Sequence, residues 1–112
     1  MKLFNIDIYS AKVRLFTDIK EYNKFINYEN NEHKFVTYSN GGDVCMLVSN
    51  LWNDAIEPKF LQCLSHECNH AAMAILESVG IPIGYEHQEA LCYLQDHIFK
   101  RCYIHCLKTM PH

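Results

Sequence analysis

Apolar and polar positions change period several times along this chain, and each change marks an element. From residue 3 to 9, Phe4, Ile6 and Ile8 alternate with Asn5 and Asp7, a period of two that predicts a half-buried strand. From Lys12 to Phe16, Val13 and Leu15 alternate with Lys12 and Arg14, giving a second short strand or the end of the first. The period then lengthens. Asp18 has Glu21 three residues on, the order of a helix N-cap, and Ile19, Tyr22, Phe25 and Ile26 follow at helical intervals. This predicts a short amphipathic helix over 18–28, with Tyr22, Phe25 and Ile26 as core, ended by the polar run Glu29-Asn30-Asn31-Glu32.

Phe35 to Tyr38 and Val44 to Val48 flank Asn40-Gly41-Gly42-Asp43, whose glycines accept the positive φ of a tight reversal, so a β-hairpin is expected. Its second arm is apolar throughout, which suits a covered strand better than an exposed one. Ser49 to Glu57 reads as a polar loop holding the only tryptophan, Trp52. Pro58 suits the first turn of a helix that runs to Val79, stopped by Gly80 with Pro82 beyond. Twenty-two residues span roughly 33 Å. Leu61, Leu64, Cys68, Ala72, Ile75 and Val79 share one side of it, and His66, His70 and Glu77 share the other. The apolar stripe is expected to cover the sheet, turning the histidines toward the last helix. That helix is predicted over Glu86 to Lys108, with Leu91, Leu94, Ile98 and Cys102 as its apolar stripe. The order of elements predicts an α+β fold in a single domain over 1–112: a small mixed or antiparallel sheet packed on the long central helix.

Composition changes this picture little. A hydrophobic content of 49% and a charged content of 21% suit a folded water-soluble chain, and no apolar run is long enough to span a bilayer. With a net charge of −3 and ten scattered basic residues, no nucleic-acid footprint is visible. Asn5 and Asp7 interrupt the amino end too early for a secretory signal, so a cytoplasmic location is expected, with no membrane partner. The oligomeric state has no signature in the sequence. Six cysteines without an export signal read as reduced, mostly buried thiols. Cys102-x-x-x-Cys106 has the spacing of half a metal site, but no second pair completes it, so both read as core.

The chemistry concentrates in the central helix, in His66-Glu67-Cys68-Asn69-His70. Residues four apart on a helix stand one above the other, so His66 and His70 can aim two imidazoles at one point. Glu67, about 100° further round, reaches a molecule held there. This is the arrangement of a zinc ion and the water it activates, and such a site takes a third protein ligand. Glu89, 18 intervening residues after His70 and beyond the reversal at Gly80-Ile81-Pro82-Ile83-Gly84, is the first choice, with Glu86 as its competitor. His105 lies near the apolar stripe of the last helix and reads as a hydrogen-bonded core histidine; His33 and His112 invite no role.

His66-Glu67-x-x-His70 followed by Gln88-Glu89-Ala90-Leu91 resembles the gluzincin branch of zinc metallopeptidases, especially small zincin-like proteins encoded in phages and prophages. The likeness is most specific from Leu64 to Leu94. It implies a zincin-like fold, zinc held by His66, His70 and Glu89 with the C-terminal helix supplying the third ligand, and Glu67 as general base. It implies hydrolysis of a peptide or protein substrate by zinc-activated water. A second reading is a catalytically inactive zincin-like metal-binding protein that acts as a protein-interaction factor for a phage. Tyr93 stands where many gluzincins carry an aspartate that orients the first histidine; Asp96, one turn further along, is the residue left to accept from a ligating histidine's other nitrogen. The oxyanion also needs a donor opposite the metal, and Tyr85, His87, Tyr93, His97 and Tyr103 are the choices.

Overall fold

A computed structural model describes residues 1–27, 35–49 and 55–110. Among these residues four strands form one sheet: β1 (Lys2–Ile6), β2 (Ala11–Phe16), β3 (Phe35–Asn40) and β4 (Asp43–Val48), in the order β1-β2-β4-β3. β1 pairs antiparallel with β2, β3 antiparallel with β4, and the central pair β2 and β4 is parallel, so the sheet is mixed. Three α-helices among the described residues complete an α+β fold: α1 (Ile19–Ile26), α2 (Pro58–Ser78) and α3 (Gln88–Thr109). None is long and apolar enough to cross a membrane.

The helices divide between the two faces of the sheet, and strand alternation explains how. Val13 and Leu15 of β2, with Val44, Met46 and Val48 of β4, face α2 and α3 in the main core. Phe16, Cys45 and Leu47 turn the other way and pack with Tyr22 of α1 in a second cluster. β4 is therefore apolar at successive positions because both its faces are covered. Phe16 meets Tyr22 edge-on, with ring centroids 5.6 Å apart.

Local signals place most boundaries. Asp18 caps α1 by accepting a hydrogen bond from the Lys20 N–H at 3.0 Å. Asn40 and Asp43 pair across the hairpin, where Gly41 adopts φ +60°. Pro58 opens α2, and Gly80, at φ +78°, follows its end.

Four expectations need correction. The first strand stops at Ile6, and Asp7–Tyr9 form a 3-10 turn that leaves Ile8 84% exposed. Phe25 is exposed on the outer face of α1, where the Arg14 guanidinium lies over its ring. Val79, expected on the apolar side of α2, is exposed beyond the helix end. The largest change concerns α3, which does not cover the histidines. Buried positions on α2 run from Glu67 through Phe60, Ala71, Leu64, Ile75, Cys68 and Ala72 to Leu76, about half the helix circumference. The sheet and α3 share that arc because the two helices lie side by side on one sheet face, with α3 also packing on Phe4 and Ile6 of β1. His66 and His70 lie outside that arc and are exposed. The polar run at 29–32, most of the loop after Ser49 with Trp52, and His33 and His112 lie outside the described residues.

Candidate active site

Helix geometry brings the two histidines together as their spacing requires. His66 Nε2 and His70 Nε2 are 3.1 Å apart, with ring planes at 75°. Two nitrogens bound to zinc at about 2.0–2.1 Å and a tetrahedral angle stand about 3.3–3.4 Å apart, so this pair already has nearly that spacing. Without an ion the same distance is a hydrogen bond in which one ring donates N–H and the other accepts.

Glu67 turns the other way, toward β3. Its side chain is 8% exposed and accepts a hydrogen bond from the Thr37 hydroxyl, Oγ1 to Oε1, at 2.7 Å. The same hydroxyl lies 3.2 Å from the Glu67 carbonyl oxygen. Oε2 has no hydrogen-bond partner among the described residues. Thr37 is the neighbour of Glu67 that sequence reasoning missed. Its signal was present, because alternation along β3 puts Thr37 on the face of Phe35, whose ring packs against Phe60 of α2 at 5.6 Å.

Between β3 and α2 runs a cleft of about 580 Å³, with Thr37 and Ser39 on one wall, Glu67, His70 and Glu77 on the other, and Ile83 from the turn after α2 at its edge. Among the described residues β3 is an edge strand of the sheet, and it borders this cleft. The floor of α2 is held by α3 through Gln95, which accepts from the Asn69 side chain at 2.8 Å and donates to the Ser65 carbonyl at 3.4 Å. The motif helix is thus clamped by an amide pair, one member of which lies inside the motif.

The other expected site residues are scattered. Glu89 is exposed in the first turn of α3, and Glu86 is exposed in the 3-10 turn Tyr85–His87 before it. Among the described residues, no group of three or more His, Cys, Asp or Glu side chains is gathered tightly enough to hold a metal ion. Tyr93 and His97 line a different cleft, against Asn5 to Tyr9. Tyr85 is 86% exposed, Asp96 is exposed, and Tyr103 packs against Phe99 at 5.6 Å. None of Tyr85, His87, Tyr93, His97 and Tyr103 lines the cleft beside Glu67 and His70. The cysteines are free thiols; Cys45, Cys68, Cys102 and Cys106 are buried, Cys92 is exposed and Cys63 lies between. No protein-family model, curated protein or solved structure matches this chain.

Proposed function

We propose that this chain is a small zinc-dependent metallopeptidase of gluzincin type. The observation that carries the reading is the pair of imidazole nitrogens 3.1 Å apart, one helical position from a carboxylate that opens into a cleft beside an edge strand. Two neutral imidazoles at that spacing suit a borderline-soft cation such as zinc. Glu89 is assigned as the third ligand, with Glu86 the alternative, and either assignment requires the start of α3 to draw closer to the histidines. Both glutamates follow the turn that holds Gly80 and Gly84.

Zinc, when bound, supplies a Lewis acid that polarises a carbonyl and makes water acidic enough to attack near neutral pH. The chain's own residues do the rest. His66 and His70 would hold the ion. Glu67 Oε2 takes the proton from the attacking water and returns it to the departing amine, while Thr37 holds Oε1 and so sets the direction in which Oε2 points. The cleft wall at Thr37 and Ser39 orders an extended peptide or protein substrate beside these groups.

Elemental analysis of protein purified without a histidine tag tests the metal directly. About one zinc per chain is expected, reduced severely in His66→Ala and His70→Ala, and a content far below one sinks the proposal. Glu67→Gln should keep its zinc and lose hydrolysis of a quenched-fluorescence peptide library by about 100-fold or more. If the zinc-loaded wild type and Glu67→Gln behave alike in every functional assay, the protein binds metal for recognition and hydrolysis is not its role.

A further inference from the structure

Away from the cleft, the start of β1 and the last turns of α3 bound a further hollow of about 200 Å³, lined by Lys2, Arg101, Ile104, His105 and Lys108. Four of these five side chains are basic and none is a carboxylate, in a chain whose net charge is −3. The backbone makes this convergence. Lys2 stands on the same face of β1 as Phe4 and Ile6, which are buried beneath the helices. Arg101, His105 and Lys108 stand at i, i+4 and i+7 along one stripe of α3. The Arg101 guanidinium lies over the Phe4 ring, 4.8 Å from its centroid, which holds that charge at the junction of strand and helix.

Among the described residues, no salt bridge joins Lys2, Arg101 or Lys108 to a carboxylate. Simpler roles exist for two of them. An inward lysine on an edge strand discourages sheet-to-sheet pairing, and a lysine in a helix's last turn complements its dipole. Neither role accounts for four bases around one hollow. The carboxyl end of α3 carries about half a negative charge, which opposes an anion. Two of its carbonyls are already engaged, however: that of His105 by the Thr109 hydroxyl at 2.9 Å and that of Cys106 by the Met110 N–H at 2.8 Å. Three full positive charges outweigh what remains.

We propose that this hollow binds a phosphate group, presented as inorganic phosphate or as a small phosphate monoester. The space admits one tetrahedral dianion with a small substituent. Arg101 offers paired planar N–H donors, and Lys2 and Lys108 offer mobile point charges. Burial first, then the amino terminus, Lys2 and Lys108, push the His105 pKa below its ordinary value. A bound dianion offsets those cations, so His105 gains a proton and a further donor as the anion enters. The site is independent of the zinc reading, sharing no residue with the cleft.

The test is a titration of the full chain with inorganic phosphate at pH 7.5 and constant ionic strength, following the His105 ring resonances by NMR. A saturable shift is expected, with a dissociation constant of about 1 mM or below and a rise in the His105 pKa at saturation. Arg101→Met and Lys108→Met, both at exposed positions, should each weaken binding about tenfold or more. A second arm replaces phosphate by vesicles of phosphatidylcholine with and without phosphatidic acid. Saturable binding of free phosphate without preference for the acidic vesicles supports the proposal, whereas binding only to those vesicles overturns it in favour of a membrane surface. A linear response, one matched by chloride, or one that survives in the double variant shows charge screening alone and also overturns it.

Discussion

At the scale of single residues, the contact between Thr37 and Glu67 decides where the motif glutamate sits. A carboxylate that is 8% exposed needs a donor to remain where it is. Thr37 supplies one from a different element. Thr37→Val keeps the shape and removes the hydroxyl, and should lower stability by about 1–3 kcal/mol in urea denaturation. Thr37→Ser, which retains the donor, should recover most of the loss. Equal stability of the wild type and the valine variant would show that the hydroxyl does not hold Glu67.

At the scale of elements, the turn between α2 and α3 sets where the second helix begins. Gly80 has φ +78° with nothing near its missing Cβ, so the backbone conformation, and not space, selects glycine. Gly80→Ala is expected to cost about 1–2 kcal/mol, read as a lower urea midpoint with an unchanged slope. The period of α3 was legible in the sequence, because Leu94, Ile98 and Cys102 are buried as their spacing demands. Its placement was not. The two polar faces of α2 and α3 do not say which flank of α2 receives α3; in the folded chain both helices share one core with the sheet.

At the scale of the whole molecule, burial of ionisable groups in both cores fixes an alkaline limit. Burial pushes the Tyr22 hydroxyl up to about 12, and burial followed by the charge of Cys102 does the same to Cys106. Cys102 is raised too, first by its hydrogen bond with Cys68 and then by burial. The folded protein therefore keeps protons that the unfolded chain releases from about pH 9 for the thiols and about pH 10 for the tyrosine. Stability is complete below that range and is lost as pH climbs toward 12. Tyr22→Phe has no such proton to lose, so its urea midpoint should fall less than that of the wild type between pH 9.5 and 11.5. The tyrosine's share of the loss amounts to about 2–3 kcal/mol at most.

The sequence by itself determined what depends on neighbours along the chain: the hairpin at Gly41, the cap at Asp18, the start of α2 at Pro58, and the meeting of His66 and His70 four residues apart. These follow from dihedral preference and helical pitch, which act over a few residues. The tertiary structure decided what depends on distant segments. It brought Thr37 to Glu67 across 30 residues and put Gln95 against Asn69. It set Tyr93 and His97 in a separate cleft, left Glu89 exposed at the start of α3, and drew Lys2 toward Arg101, His105 and Lys108. Such juxtapositions depend on which face of one element packs against another, and that is fixed only when the whole core closes.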